Sequence, residues 1–177
     1  MERCTSTRRI FDGHVLNLRV DNVLFDDGVE ATREVVEHRG ASVIIPLLEN
    51  NHVLLVRQYR YAVGKELLEI PAGTCDIGES PEDCAKRELQ EETGFTCGNL
   101  EKILECYVAP GYSSELIHFY VASALRKAES QMELDEAIMV ERIELEQVLK
   151  MIKENIIVDA KTVAGMLAYL TYYLHKA

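Results

Sequence analysis

A mixed β-sheet sandwiched between helices, preceded by an antiparallel strand region, is the α/β fold class that this sequence predicts. Three observations predict it. The runs Val43-Ile44-Ile45 and Val53-Leu54-Leu55-Val56 have the length and continuity of strands buried on both faces. A strongly signalled helix follows, opened by Ser80-Pro81 and closed by Gly94. Two segments of helical periodicity end the chain, so the order is sheet, helix, sheet, then two helices.

Each element has its own warrant. Val15 to Phe25 and Val29 to His38 read as strands around the turn Asp26-Asp27-Gly28. They precede the apolar core, which divides the chain into an N-terminal strand region, 1–40, and a main domain, 41–177. Ser42 to Leu48 and His52 to Tyr59 pair around Glu49-Asn50-Asn51, and Lys65 to Ile70 forms a short strand entering Pro71-Ala72-Gly73. In the helix, Ser80 is the N-cap and Pro81 the first residue, and Glu82 and Asp83 complement the macrodipole. Glu101 to Ala109 and Glu115 to Ala122 are further strands, separated by Pro110-Gly111-Tyr112-Ser113-Ser114. After a polar segment, Arg126 to Asp135, Glu144 to Lys153 carries Leu145, Val148, Leu149 and Ile152 at helical spacing. Lys161 to His175 does the same with Val163, Met166, Leu167 and Leu170.

The whole-chain properties exclude several function classes. At 177 residues, with 47% hydrophobic and 28% charged residues, this is an ordinary globular composition. A net charge of −11 argues against a nucleic-acid polymer as partner, because phosphate backbones need clustered Lys and Arg. A small diphosphate stays compatible, since a bound divalent ion neutralises a site locally. Neither a membrane-length apolar stretch nor an apolar signal core is present, so a cytoplasmic location is expected. The five cysteines form no Cys-x-x-Cys pair and read as reduced thiols.

The chemistry concentrates in Arg87-Glu88-Leu89-Gln90-Glu91-Glu92. Glu88, Glu91 and Glu92 are spaced i, i+3 and i+4 and share one helix face. Like charges at that spacing destabilise an isolated helix by ~0.2–0.5 kcal/mol per pair. A cation over them reverses the sign, and an all-oxygen donor set suits a hard ion such as Mg2+. Arg87 and Glu91 are four apart, so Arg87 can hold one carboxylate from the side. The alternative is a solvated acidic face.

This segment resembles the Nudix box: Gly, five residues, Glu, seven residues, Arg-Glu-aliphatic-any-Glu-Glu-any-Gly-aliphatic. Gly73, Glu79, Arg87, Glu88, Leu89, Glu91, Glu92 and Gly94 occupy its fixed positions, with Phe95 where an aliphatic is usual. The resemblance implies a Nudix-type sheet between helices, and Mg2+- or Mn2+-assisted hydrolysis of a nucleoside diphosphate linked to another moiety. It implies metal ligation by Glu88, Glu92 and the Ala72 carbonyl, with Glu91 as a third ligand, an orienter or a catalytic acid. Glu79 and Arg87 become an ion pair tying loop to helix, and Gly73 and Gly94 serve backbone geometry.

Outside the box the chain resembles the ADP-ribose pyrophosphatase branch. The matching pieces are Arg33-Glu34-Val35-Val36-Glu37-His38, Arg57-Gln58-Tyr59-Arg60 and Glu69-Ile70-Pro71-Ala72-Gly73, with Pro110 sixteen residues after Gly94. That branch implies substrate contacts from Arg33, Glu34, Arg60 and Glu115. A surface arginine is the alternative for Arg60, a cross-strand ion pair for Arg33, and a strand-end acid for Glu115. The general base of the branch lies in an acidic loop matched by Glu133-Leu134-Asp135-Glu136, where Glu136 aligns first and Glu133 second. A homodimer built through the N-terminal strands is also implied. The expected reaction is ADP-ribose hydrolysis to AMP and ribose 5-phosphate. The rivals are another nucleotide sugar or dinucleotide, GDP-mannose included, and a sensor that binds without turnover.

Overall fold

The structure, a computed structural model, describes residues 1–128 and 138–173, with the backbone alone at 172–173. Its ten strands and three α-helices are β1 (Glu2–Asp12), β2 (Asn17–Phe25), β3 (Glu30–Glu37), β4 (Ala41–Leu48), β5 (His52–Arg60), β6 (Lys65–Glu69), β7 (Ala72–Thr74), α1 (Pro81–Thr93), β8 (Phe95–Tyr107), β9 (Leu116–Lys127), β10 (Met139–Glu144), α2 (Leu145–Lys153) and α3 (Ala160–Ala168). The chain divides into two compact units, Met1–Gly40 with Cys106–Ile117, and Ala41–Glu105 with His118–Ala177.

The first unit is built on an antiparallel sheet, β1-β2-β3. The turn at Asp26-Asp27-Gly28 closes as the sequence predicts, with Phe25 N–H bonded to the Val29 carbonyl at 2.9 Å. β1 corrects the sequence reading, which placed no strand before Val15. All eleven of its residues are exposed, so it buries no apolar face and is held by backbone pairing to β2. Val36 and Ser114 exchange bonds with the Pro110–Glu115 loop and β3: Val36 N–H meets the Tyr112 carbonyl at 2.7 Å, and Ser114 N–H meets the Val36 carbonyl at 2.9 Å.

The second unit contains the mixed seven-stranded sheet, ordered β10-β5-β4-β9-β8, with β6 on β5 and β7 on β4. Alternation in its central strands explains the layers. Ile44 of β4 and Tyr120 and Ala122 of β9 pack against Ala85 and Leu89 of α1. Phe119 and Ile70 meet α3 instead, at Gly165, where an added Cβ would lie 2.9 Å from the Phe119 ring. The sheet is therefore covered on both faces, as continuous apolar runs require. Each fully buried aliphatic here contributes roughly 1.5–3 kcal/mol of transfer free energy.

Three boundaries differ most from the sequence reading. β8 begins at Phe95, not Glu101, and β9 runs on to Lys127, past Ala122, into the segment read as polar from Arg126. The last helix is α-helical only over Ala160–Ala168 and continues as a π turn, Tyr169–Tyr173. β10, which the sequence did not signal, is an edge strand on β5 with no buried residue.

Leu89 is fully buried in the cluster under α1, whereas Leu149 on α2 is 39% exposed. Leu89→Ala is expected to cost about 2–5 kcal/mol in chemical denaturation, the range for large-to-small core changes. Leu149→Ala should cost less than half as much. Equal losses would contradict the layer assignment.

Candidate functional site

The box loop and helix are positioned by β7, which pairs antiparallel with β4 through Val43↔Ala72, Ser42↔Gly73 and Ala41↔Thr74. The helix starts where the sequence says: Ser80 Oγ accepts from Asp83 N–H at 3.1 Å, and Pro81 is the first helical residue. It ends at Gly94, whose φ of 71° is the left-handed conformation that favours glycine.

Arg87 is the hub of this segment. Its Nε and Nη2 donate to the two oxygens of Glu79 at 2.8 and 2.9 Å. Nη1 donates to Glu88 Oε1 at 2.6 Å and Glu91 Oε2 at 2.9 Å, and Nη2 also reaches the Thr74 carbonyl at 3.2 Å. The planar fork suits this because one rigid group can satisfy several carboxylates at once. Hydrogen bonds from Arg87 hold the Glu79 carboxyl down to about 2; burial opposes them and the Asp76 N–H assists. The Glu79 bonds in turn raise Arg87 further above its ordinary value, so it stays a fixed cation. The expected tie from loop to helix is thus present.

Glu88 and Glu92 are buried, while Glu91 is half-buried. Glu88 lies against the Gly73 α-carbon so closely that a Cβ there would fall 1.9 Å from Oε1. Glycine at 73 is therefore a condition for Glu88 to occupy its place. Glu92 Oε2 accepts from Ala72 N–H at 3.0 Å. Among the described residues, no three Asp, Glu, His or Cys side chains converge as a ready-made ion cage. The donors still fit a hard divalent ion, which takes few protein oxygens and keeps several waters. Burial, with Cys75 beside it, pushes the neighbouring Cys84 thiol up to about 12.

Arg60 is not a loose surface arginine. Its Nε and Nη2 donate to both oxygens of the fully buried Glu69, at 2.8 and 2.7 Å. Lys161 also pairs with Glu69, and lies 3.0 Å from Asp159, the N-cap of α3. Thr162 Oγ1 donates to Asp159 at 2.6 Å and accepts from Ile70 N–H at 3.0 Å. Burial pushes the Glu69 carboxyl up, but the Arg60 and Lys161 bonds outweigh it and hold it below the usual range. Sequence reasoning missed Glu69, Lys161 and Asp159. The available signal was Asp159-Ala160-Lys161-Thr162, a capping acid followed by a cation in a first helical turn.

The structure thus brings Ala72, Gly73, Glu79, Arg87, Glu88, Glu91, Glu92 and Gly94 together on β7 and α1, with Arg60 on β5 of the same unit. Arg33, Glu34 and Glu115 belong to the other unit. There Arg33 donates to Glu2 at 2.6 Å and its guanidinium lies 5.5 Å from the Phe25 ring centroid. Glu34 is exposed on β3 opposite Val20, and Glu115 lies 3.9 Å from His38 Nδ1. Glu133 and Glu136 lie outside the described residues.

Comparison with known proteins decides the family. The domain description "NUDIX domain" matches residues 37–164. The chain belongs to the Nudix family. It is 42% identical over 167 residues to a "Methanol dehydrogenase activator" of Bacillus methanolicus, covering 93% of this chain and 90% of that one. It is 38% identical over 175 residues to an "ADP-ribose pyrophosphatase" of Bacillus subtilis (strain 168), covering 98% and 92%. A crystal structure described as an "ADP compounds hydrolase" superposes with a TM-score of 0.88 at 22% identity, over 99% of this chain and 96% of that one, and so shares the fold. The enzyme class expected from the box, a Nudix pyrophosphohydrolase, stands.

In this Nudix chain the Glu79–Arg87 clamp has a pH signature. Glu79 ionises lower in the folded protein than the about 4.3 of an unfolded glutamate. A depressed folded value means the stabilisation is complete above the unfolded value and lost as pH falls towards the folded one. Glu79→Gln should lose about 1.5–3 kcal/mol at pH 7, the scale of hydrogen bonds to a charged group. Thermal melts should show the gap to wild type closing between about pH 4.5 and 2. A gap independent of pH would contradict the clamp.

Proposed function

We propose that this enzyme hydrolyses the diphosphate bond of ADP-ribose, or of a closely related nucleoside diphosphate sugar, giving AMP and ribose 5-phosphate. The observation that carries the chemistry is the buried Glu88–Glu92 pair seated against Gly73 and Ala72. The 38% identity to the Bacillus subtilis ADP-ribose pyrophosphatase, across nearly the whole chain, supports the substrate.

Glu88, Glu92 and the Ala72 carbonyl would hold Mg2+, or Mn2+ in its place. When bound, such an ion neutralises phosphate oxygens and lowers the pKa of a coordinated water. The protein's own groups do the rest. Arg87 keeps Glu88 and Glu91 at fixed positions beside that ion. Arg60 aims an always-charged guanidinium at the diphosphate, and Arg33, Glu34 and Glu115 are assigned to the rest of the substrate. Glu136 takes the proton of the attacking water, with Glu133 and then Glu91 as the next candidates. The oxygen forms a bond to phosphorus, the bridging P–O bond breaks, and the leaving phosphate carries the electron pair away.

The N-terminal region, 1–40, is assigned to a homodimer interface. β1 supports this: an eleven-residue exposed edge strand bearing exposed Ile10 and Phe11 is a surface that proteins ordinarily cover. The five free cysteines support a cytoplasmic setting, and among the described residues no helix is long and apolar enough to cross a membrane. The 42% identity to the methanol dehydrogenase activator favours a second reading, in which this chain raises the activity of a dehydrogenase. Adding it to an alcohol dehydrogenase assay, with and without its own substrate present, separates the two.

A panel of nucleoside diphosphate compounds, ADP-ribose, GDP-mannose and dinucleotides among them, should give its highest kcat/KM with ADP-ribose and yield AMP. EDTA or Glu92→Gln should abolish turnover without unfolding the protein. Glu136→Gln should lower kcat by ~10²–10⁴-fold at unchanged metal affinity, as loss of a general base does. Full activity in EDTA would overturn the metal reading.

A further inference from the structure

Lys161 stands where an isolated helix disfavours it. Asp159 caps α3, which puts a lysine in the first turn, at the positive end of the macrodipole. Its ammonium is taken up instead by Glu69 and Asp159. Glu69 is fully buried at the end of β6, three residues before Ala72, and is 92 positions away from Lys161 in sequence.

Stability alone is a poor account of this cluster. Replacing a buried ion network by well-packed apolar residues is often neutral or stabilising. What the network achieves is the immobilisation of Arg60. Glu69 takes Nε and Nη2 of its guanidinium in a two-pronged fork, which fixes the plane of the group and turns the Nη1 edge away from Glu69. The Arg60 side chain keeps 38% of its surface exposed, and the fork to Glu69 uses Nε and Nη2 and leaves out Nη1. The charge of Glu92 is also felt at Arg60, which puts this guanidinium in electrostatic reach of the box carboxylates.

We propose that Lys161 is a positioning residue for substrate: by holding Glu69 in place from the α3 side, it fixes the orientation in which Arg60 meets the diphosphate. The proposal rests on the assignment of Arg60 to the diphosphate made above. Without the ammonium, one cation must compensate the whole buried carboxylate. Arg60 is then drawn to Glu69 in competition with the substrate. The loss therefore falls on binding, and the chemical step is spared. Arginine at 161 retains the positive charge against Glu69 and Asp159, so it restores the constraint.

The test is steady-state kinetics with ADP-ribose and Mg2+, backed by calorimetric binding of ADP-ribose, on Lys161→Met, Lys161→Gln, Lys161→Arg, Arg60→Ala and the Arg60→Ala/Lys161→Met double variant. Circular dichroism and thermal melts identify which variants are folded, and Lys161→Gln serves if the methionine variant is not. The expected result is a KM, or Kd, raised about tenfold in Lys161→Met with kcat changed less than about threefold. Lys161→Arg should recover most of that loss. In the Arg60→Ala background the lysine change should add less than about twofold, because the two residues act through one carboxylate. An unchanged KM in a folded Lys161 variant overturns the proposal, as does an equal loss with and without Arg60, or a fall confined to kcat. Wild-type turnover with Arg60→Ala at full affinity overturns it through Arg60 alone. Absence of both turnover and binding of every nucleoside diphosphate tested with wild type overturns the proposed function itself, and this inference with it.

Discussion

Arg87 makes the carboxylate face of α1 tolerable. Glu88, Glu91 and Glu92 repel one another on one helix face, and two of them are buried away from the water that would screen them. A single guanidinium joins Glu88 and Glu91 and locks onto Glu79 on the preceding loop. Lysine could not replace it, because one ammonium lacks the planar fork that serves Glu79 with two donors while a third serves the helix. Loop, helix and two of the three carboxylates are thereby set by one residue, and Gly73 gives Glu88 the space it needs.

The second unit carries two charged constructions that meet at the segment Glu69–Ala72. On one side, Ala72 N–H is bonded to Glu92 of α1. On the other, Ile70 N–H is bonded to Thr162 and Glu69 is clamped by Arg60 and Lys161. Between them the Pro71 carbonyl accepts from Ile44 N–H of β4 at 2.8 Å. Bonds at four consecutive residues, Glu69 to Ala72, leave the segment that leads into the Ala72 carbonyl little freedom. Preorganisation of this sort is what a binding site gains from rigid support, since a loosely held ligand group must be ordered at each binding event.

Much of this was legible in the sequence, and the parts that were not have physical reasons. The box helix carried its own punctuation: a Ser-Pro start, a glycine stop, and carboxylates at fixed spacing. β4 and β5 were readable because burial on both faces leaves no polar residue in the run. β1 was not, because ERCTSTRRIFD has no apolar alternation and buries no face. β10 failed for the same reason, as an edge strand with no buried face. The Glu69–Lys161 pair joins residues 92 apart, and no local pattern announces such a partner. Arg60 was named as a candidate by resemblance, but its buried anchor Glu69 was not.

On the proposed function, the buried carboxylates of α1 and the Ala72 carbonyl hold a divalent metal ion. Crystals grown with Mn2+ and measured at a wavelength where manganese scatters anomalously test it most directly. The expected result is an anomalous peak in contact with the Ala72 carbonyl oxygen and the carboxylates of Glu88 and Glu92. A peak elsewhere, such as between Cys75 and Cys84, or no peak at millimolar Mn2+, would contradict it.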